Sequence, residues 1–426
     1  MSPGALPGFR DFYPTELAER SYIFQVWREV ARRYGFSEYD GPPLEPLDLY
    51  TKKSGAEIVD QLYNFTDKGG REIALRPEMT PTLARMVAAR ANALRKPVRW
   101  FSTPQLFRYE RAQRGRLREH FQLNMDIIGE ADVSADAELL AAAIDVMRGL
   151  GLTSEDVVAR VSDRRLLNAL LKGIGVTEAQ LPAAYAALDK LDRDPRDVLV
   201  QRLESAGVSG ATSSQLFDLA GATADEEAFT QLVQAAGATA EWEALCRYLD
   251  HTEALGVRDW VRLDLSIVRG LAYYTGIVFE LFDAKGELRA ICGGGRYDTL
   301  LESLGGVSLP ALGFGMGDVV LGELLRGRGK MPVLEPAVDV WVAYGDSGTV
   351  EDAMRVASKI RARGHSVEYA LGSQKLARQL KAAHAAGAKH TLVIATPELS
   401  ANEGMVRRKD EKAERRVELD AWIAAT

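Results

Sequence analysis

The sequence predicts an α+β core built on a mainly antiparallel sheet and interrupted by a helical segment, followed by a smaller α/β domain. Three observations lead to this prediction. Two strand-like segments, 99–110 and 120–130, flank a basic loop and are typical of a hairpin. Residues from about 165 to 256 are rich in Ala, Leu, Glu, Asp and Gln, a composition that favours helices. After residue 332, strand-like and helix-like segments alternate, which is typical of parallel strands.

The core begins with an amphipathic helix predicted over residues 15–36, whose apolar residues recur at near-helical spacing and which ends at Gly35. Beyond the hairpin, helices are expected at 136–150 and from Asp318, and strands at 157–163, 261–268, 272–283, 287–292 and 310–316. The glycine run 293–295 then indicates a tight turn or a bulge. Because consecutive strands and hairpins pair antiparallel, we expect a mainly antiparallel sheet.

The C-terminal domain is predicted from five alternating segments: strands at 338–344, 366–371 and 390–395, and helices at 350–363 and 374–386. Pro332 and Pro336 mark the boundary that precedes it. We therefore expect one domain over residues 1–330, with a helical insertion at about 175–240, and a second domain over 333–426.

Composition excludes several classes of protein. Of the 426 residues, 46% are hydrophobic and 27% are charged, which predicts an ordinary core and argues against a disordered chain. No apolar run reaches the roughly 18 residues of a membrane span. Residues 1–14 also lack the basic and apolar stretches of a signal peptide. We therefore expect a cytoplasmic protein without a membrane partner.

Metal sites and general polyanion binding are also disfavoured. Cys246 and Cys292 are far apart, and the five histidines show no metal-ligand spacing, so we expect neither a disulfide scaffold nor a metal held by the protein. The 53 Lys and Arg residues against 60 Asp and Glu residues give a net charge of −7. Any contact with nucleic acid is therefore expected from local basic patches.

The segment from Arg108 to Arg118 is the most unusual in the chain, with five arginines in eleven residues. The planar guanidinium fork of arginine matches the oxygens of a phosphate. Arg108 is expected on the strand and the other arginines on the loop, so Arg108 could hold a small ligand while the others reach outward. A solvated basic loop is the alternative.

Two acids lie in otherwise apolar contexts, Glu78 and Asp126. Gln122 lies four residues before Asp126 on a predicted strand, so both side chains point to the same face. A buried acid needs a partner. That partner could be a cationic ligand such as an ammonium or imidazole, or one of the protein's own arginines.

Two further segments could line a pocket. Arg269, Tyr273 and Tyr274 would offer one charge and two hydroxyl groups, although alternation along a strand lets at most one tyrosine point straight into a single pocket. Ordinary aromatic packing is the alternative. Alternate glycines in the segment 313–317 would leave one sheet face bare, as a floor for a flat ring or as a surface for a packed helix.

Taken together and in order, these segments resemble the histidyl-tRNA synthetases, a family of class II aminoacyl-tRNA synthetases. The similar segments are Tyr34-Gly35-Phe36 through Pro42 and Glu45 (motif 1), Arg108 to Gln122 (motif 2), Arg269 to Tyr274 and Gly294 to Asp298 (two signature blocks), and 311–325 (motif 3). The tail from about 333 resembles the family's anticodon-binding domain. The resemblance implies a class II fold and a homodimer formed through motif 1.

The resemblance also implies a histidine pocket made of Glu78, Thr80 and Gln122 for the α-ammonium group, Asp126 and Tyr273 for the imidazole, and Tyr274 to close it. The imidazole needs hydrogen-bond partners at both ring nitrogens. Arg108 would bridge the histidine carboxylate and the α-phosphate of ATP. Arg269 would stabilise the charge that develops on that phosphorus.

The implied ATP contacts are Arg108, Glu110 at the adenine amino group, His120 stacked on the base, Gly315, and Arg116 at the β- and γ-phosphates, where Mg²⁺ would share the charge. Gln113 and Arg114 at the loop tip would face the acceptor end of tRNA(His). The implied reaction forms histidyl-adenylate and then transfers histidine to the terminal ribose. It needs no side-chain nucleophile, since positioning and electrostatic stabilisation suffice.

Two positions depart from the family pattern. Ala272 stands where the first signature block usually has an acid, and Gly317-Asp318 stands where motif 3 usually supplies an arginine to the γ-phosphate. Both features resemble a branch of the family found in cyanobacteria and plastids. One hypothesis is that Arg116, Arg118 and Mg²⁺ compensate for the missing arginine.

The altered motif 3 leaves a rival open: the non-catalytic, histidine-sensing regulatory subunit of ATP phosphoribosyltransferase. That paralogue generally lacks the anticodon domain and the motif 2 arginines, whereas this sequence has both. The basic strip 405–409, with Lys412, Arg415 and Arg416, suits RNA phosphates, although a solvated hairpin is the alternative. A third alternative is an amino-acid ligase that uses the same adenylate with another acceptor. It is disfavoured because the C-terminal domain would then have no role.

Overall fold

The structure is a computed structural model, which describes residues 4–54, 56–110, 113–191, 194–221, 226–268, 274–333, 338–411 and 413–426. The chain forms two units. The larger comprises residues up to Asp11 together with Glu19–Pro332, and the smaller comprises Phe12–Ala18 together with Val333–Thr426. Within the described residues, no helix is both long enough and apolar enough to cross a bilayer.

The larger unit is organised around one broad sheet. Its strands are β1 (Ser37–Glu38), β2 (Leu44–Pro46), β3 (Asn64–Thr66), β4 (Glu72–Leu75), β5 (Val98–Ser102), β6 (Gln105–Phe107), β7 (Glu119–Ile128), β8 (Val157–Asp163), β9 (Val261–Leu263), β10 (Ile277–Asp283), β11 (Cys292–Arg296) and β12 (Ala311–Gly317). The broad sheet has the order β1-β5-β7-β12-β11-β10-β8-β9, with β6 paired to β7, and β2-β4-β3 form a small sheet. Only β1/β5 and β8/β9 pair in parallel among its described strands, so the predicted antiparallel core is confirmed.

Helices cover the sheet and form the insertion. They are α1 (Pro14–Arg33), α2 (Leu47–Ser54), α3 (Thr80–Ala88), α4 (Ser134–Gly149), α5 (Arg164–Gly173), α6 (Leu181–Asp189), α7 (Arg196–Ser205), α8 (Gly210–Gly221), α9 (Glu226–Ala235), α10 (Thr239–Ala254), α11 (Leu300–Gly305) and α12 (Asp318–Gly327). The run α5–α10 confirms the predicted helical stretch between two strands. The alanine-rich α4 has eleven of its 16 residues buried and packs on β7, β11 and β12.

The glycine segment is the main correction to the predicted strands. Residues 287–291 are not a strand, and the glycines 293–295 lie inside β11 instead of forming a turn. Glycine is required there because a Cβ at Gly294 would lie 2.5 Å from the Gly313 carbonyl oxygen of β12. Close approach of the neighbouring strands therefore overrides the low strand propensity of glycine.

Two other predicted strands are shorter than expected. The segment 99–110 divides into β5 and β6. The segment 261–268 contains only β9, because the side chain of Asp264 accepts hydrogen bonds from the backbone and hydroxyl groups of Ser266 and so turns the chain. Residues 272 and 273, at the start of the third predicted strand, lie outside the described residues.

The smaller unit contains β13 (Val340–Tyr344), α13 (Val350–Arg361), β14 (Val367–Tyr369), α14 (Leu376–Ala385), β15 (His390–Ile394), β16 (Glu403–Arg408), β17 (Arg415–Glu418) and α15 (Leu419–Ala425). The strand order is β14-β13-β15-β16-β17. The predicted α/β alternation is confirmed, and its three strands pair in parallel. The sheet is mixed, however, because the basic strip forms an antiparallel hairpin, β16–β17.

Candidate active site

A cavity of about 930 Å³ lies on one face of the broad sheet. Its lining comes from β7, β8, β10, β11 and β12, the end of α6, the turn before α3, the segment between β6 and β7, the loop between β10 and β11, and the start of α12. A volume of this size is within the range of sites for small molecules and cofactors.

The floor of the cavity is built from glycine backbone. Gly313 of β12 pairs with Asp126 of β7, and Gly315 pairs with Asn124 on one side and with Gly293 of β11 on the other. Residues paired across strands point to the same face. The polar side chains of β7 therefore lie over glycines, where a side chain on β12 would obstruct them. A Cβ at Gly315, for example, would lie 2.6 Å from Nε2 of Gln122.

Asp126 marks the acidic end of the cavity. Its carboxylate is 5% exposed and accepts a hydrogen bond from the hydroxyl group of Tyr297. Burial raises the pKa of Asp126 to about 7, and the Tyr297 hydrogen bond opposes part of that shift. This carboxyl group is therefore poised to bind a polar or cationic group that enters the cavity, because such a partner would offset its desolvation.

Glu78, in the turn that precedes α3, and Thr80, the first residue of α3, line the same cavity. The carbonyl oxygen of Pro77 in this turn accepts a hydrogen bond of 3.0 Å from Nε of Arg108. Beneath the turn, the buried Arg76 donates to Asp40 at 2.7 Å and to backbone carbonyl groups. These guanidinium contacts hold the Glu78 turn in place beside the sheet.

The basic loop forms the other end of the cavity. Arg116 pairs with Glu110 at 2.7 Å, and both side chains line the wall. His120 lies beside them. Burial, followed by the nearby charges of Arg108, Arg10 and Arg116, lowers the pKa of His120 to about 3. Its ring is therefore neutral at physiological pH and suited to stack on an aromatic base.

Asp318 occupies the first position of α12, where the family pattern expects an arginine shortly after the strand. It is 5% exposed. Its carboxylate forms an ion pair with Nη1 of Arg10 at 2.9 Å and accepts a hydrogen bond from the backbone N–H of Phe121 at 2.9 Å. Arg10 also pairs with Glu119 at 2.6 Å. Asp318 thus ties α12 to β7 and to the N-terminal segment.

The hypothesis that Arg118 compensates for the missing arginine is not supported by the geometry. Nε of Arg118 donates to the Glu110 carbonyl oxygen at 3.2 Å, and its guanidinium group lies 4.6 Å from the centre of the Tyr109 ring. Arg118 does not line the cavity, whereas Arg116 does.

The predicted site residues mostly converge. The cavity is lined by Glu78, Thr80, Arg108, Glu110, Arg116, His120, Gln122, Asp126, Tyr274 and Gly315. Gln113 and Arg114 lie outside it, in a turn closed by the Gln113–Arg116 bridge, and Arg114 pairs with Glu323 at 3.2 Å. Arg269 and Tyr273 lie outside the described residues.

Sequence reasoning missed Tyr297 as a site residue, although it belongs to the glycine-containing signature block. Its hydroxyl group reaches Asp126 from two strands away, so only the register of the sheet reveals the contact. Arg296, next to it, points to the other face and pairs with the buried Asp136 of α4 at 2.5 Å. Among the described residues, no group of three or more His, Cys, Asp or Glu side chains could hold a metal ion.

An antiparallel sheet that carries a cavity with an acidic end and an arginine-rich end, followed by a small α/β unit, is typical of a class II aminoacyl-tRNA synthetase. The profile of the family described as "Histidyl-tRNA synthetase" matches residues 8–317, and that of the "Anticodon binding domain" matches residues 339–425. The chain belongs to the histidyl-tRNA synthetase family.

Individual relatives agree with this assignment. The chain is 44% identical to the histidine–tRNA ligase of Opitutus terrae over 93% of this chain and 92% of that protein. It is 41% identical to the chloroplastic/mitochondrial histidine–tRNA ligase of Arabidopsis thaliana over 92% of this chain and 80% of that protein. The fold is similar to the crystal structure of histidyl-tRNA synthetase from Nostoc sp. PCC 7120, with a TM-score of 0.84, 23% identity and coverage of 100% and 99% of the two chains.

Proposed function

We propose that this chain ligates histidine to tRNA(His) in two steps, through a histidyl-adenylate formed from histidine and ATP. The observation that carries the proposal is the charge separation in one cavity. Asp126 lines one end, Arg116 with Glu110 and His120 lines the other, and Glu78 lines the same cavity. Family membership and the names of relatives about 40% identical support the same reaction.

The acidic end would bind the free amino acid. Glu78, Thr80 and Gln122 would accept hydrogen bonds from the α-ammonium group, and Asp126 would bind the imidazole. Because Tyr297 already donates to one oxygen of Asp126, the other oxygen is available for the ring. Tyr274, buried beside Gly295 of β11, would close this end.

The reaction would take place between the two ends, at Arg108. Its guanidinium group is anchored at the Pro77 carbonyl next to Glu78, and its charge also acts on His120. Arg108 could therefore contact the histidine carboxylate and the α-phosphate together while the carboxylate attacks phosphorus. Such a group stabilises the charge of the transition state without reorganising. Arg269 would assist there.

The remaining ATP contacts would be Glu110 at the adenine amino group, His120 on the ring face, Gly315 in the floor and Arg116 at the outer phosphates, where ATP would bring Mg²⁺ as its own counterion. Gln113 and Arg114 would meet the acceptor end of the tRNA. We infer that residues 1–330 form the catalytic core, with the insertion at about 175–240, and that 333–426 bind the anticodon.

We further propose that the protein works as a homodimer in the cytoplasm, and that it lies in the branch found in cyanobacteria and plastids. Ala272 and the Gly317-Asp318 pair support the branch. The regulatory subunit of ATP phosphoribosyltransferase is the weaker candidate, because the chain keeps motif 2 arginines and matches an anticodon-binding domain.

Exchange of labelled pyrophosphate into ATP tests the first step. We expect exchange that depends on histidine, followed by charging of a tRNA(His) transcript. A protein that binds histidine without exchange would be a regulator, and exchange without charging would indicate a ligase with another acceptor. Either result would overturn the proposed function.

A further inference from the structure

We propose that Arg289, on the loop between β10 and β11, binds the terminal phosphates of ATP and the pyrophosphate that leaves. The proposal rests on the proposed function and adds a residue that motif comparison does not assign. Arg289 is exposed and lines the cavity, and its Cδ lies 3.7 Å from the position of a Cβ at Gly115, in the basic loop. Its side chain therefore lies against the basic loop, at the arginine-rich end of the cavity.

The charges in the cavity single out this residue. Among the residues that the structure describes, four arginines line the cavity: Arg108, Arg116, Arg160 and Arg289. The first donates to the carbonyl of Pro77 at 3.0 Å, the second pairs with Glu110 at 2.7 Å, and the third pairs with Asp264 at 3.5 Å. Arg289 has no carboxylate partner within the part of the chain that the structure describes. Its charge is thus available to an anion in the cavity.

Helix α12 supplies no cation to this part of the cavity. Val319 and Val320 line the cavity there, and a Cβ at Gly115 would lie 3.4 Å from Cγ2 of Val320. The neighbouring Asp318 is an acid whose carboxylate is engaged by Arg10. Even with its own Mg²⁺, a triphosphate tail that passes between the basic loop and α12 would therefore carry more negative charge than the single guanidinium group of Arg116 offsets.

The base of Arg289 is held in place before any ligand arrives. Asp283 at the end of β10 accepts the backbone N–H groups of Lys285 and Glu287, both at 3.1 Å, and also pairs with Arg328. At the other end of the loop, just before β11, the backbone N–H of Ile291 donates to the carbonyl oxygen of Leu281 in β10 at 2.8 Å. A guanidinium fork on a fixed loop can take two phosphate oxygens at a small entropic cost.

The test is a set of three variants, Arg289→Ala, Arg289→Lys and Lys285→Ala, assayed by histidine-dependent pyrophosphate exchange. Lys285 is a matched control, because it is a cation on the same turn, is exposed and does not line the cavity. For Arg289→Ala we expect the KM values for ATP and pyrophosphate to rise about 10-fold to 100-fold. Arg289→Lys should lie between Arg289→Ala and the parent protein, and Lys285→Ala should match the parent.

A second measurement separates phosphate binding from a change in the shape of the cavity. A non-hydrolysable histidyl-adenylate analogue carries only the α-phosphate, so its Kd should not change in Arg289→Ala. An unchanged KM for ATP, or a Kd for the analogue that rises in parallel with that KM, would overturn the assignment. If the parent protein itself shows no exchange, the proposed function fails instead, and the two failures are distinct.

Discussion

The two ends of the cavity differ in burial and in what holds them. At the acidic end, Asp126 is 5% exposed and fixed by Tyr297 in the middle of the sheet. At the basic end, the side chain of Arg116 is 46% exposed on a loop. A charged group in the sheet is desolvated, so it discriminates strongly between ligands. A charged group on a loop is solvated, so it releases a bound ligand more readily. This difference suits a small substrate that must be discriminated and a pyrophosphate that must depart.

The largest effect is expected from Gly313→Ala, which would destroy the acidic end alone. The added Cβ would overlap the Asp126 carboxylate and lie 2.9 Å from the Tyr297 hydroxyl oxygen. We expect histidine-dependent exchange to fall by about 1,000-fold or more. Gly327→Ala is the matched control, because a Cβ there meets nothing within 4 Å. Near-parental activity in Gly313→Ala would show that histidine binds elsewhere.

Arg108→Ala should impair the use of histidine and of ATP together. We expect kcat for exchange to fall by about 100-fold to 1,000-fold, because the side chain would contact both the carboxylate and the α-phosphate. Arg108→Lys should recover little of this loss, since an ammonium group cannot form the bidentate contact. The surface variant Arg28→Ala, which removes an exposed pair with Glu38, serves as control. A loss confined to the KM for one substrate would contradict the bridging role.

The pH dependence of stability should distinguish the buried end from the exposed one. The raised pKa of Asp126, about 7 against 3.8, means that the folded state binds a proton which the unfolded state has released. The free energy of unfolding should therefore fall as pH rises from about 4 to about 7, by at most about 1.4 kcal/mol per pH unit.

Asp126→Asn removes this titrating proton. The side-chain oxygen of the asparagine can still accept the hydrogen bond from the Tyr297 hydroxyl group. Urea unfolding at pH 5, 6 and 7 should show the variant gaining stability relative to the parent as pH increases. A difference between the two proteins that stays constant across this range would mean that the Asp126 pKa is not raised.

The smallest effect is expected at the loop tip, beyond the basic end. Arg114→Ala should raise the KM for tRNA about 3-fold and leave pyrophosphate exchange unchanged, because Arg114 lies outside the cavity and its exposed pair with Glu323 contributes little to stability. Glu323→Gln controls for loss of that pair. If both variants weaken charging equally, the effect comes from the pair and not from a contact between Arg114 and RNA.

Regular elements with strong local signals were predictable from the sequence. The strand Val157–Asp163 has the predicted bounds, and the start of α12 at Asp318 follows from a strand that ends in glycine. The alternation along β7, which places Gln122 and Asp126 on one face, also holds, because both side chains line the cavity.

Features that depend on pairing between distant strands were not predictable in this way. Propensity assigns the glycines 293–295 to a turn, but crowding by β10 and β12 makes them the centre of a strand. The Tyr297–Asp126 contact and the role of Asp318 as a partner of Arg10 likewise depend on register and on contacts more than a hundred residues apart. Local sequence patterns carry no such information.

If the amino acid binds over the glycine floor as proposed, that floor constrains attempts to redesign the enzyme for another amino acid. Protein engineers usually enlarge a pocket by shortening the side chains beneath a substrate, but Gly293, Gly313 and Gly315 leave nothing to shorten. New specificity would have to be built into the walls, at Asp126 and its neighbours. Any side chain added at Gly313 or Gly315 would overlap the space that Asp126 and Gln122 already occupy.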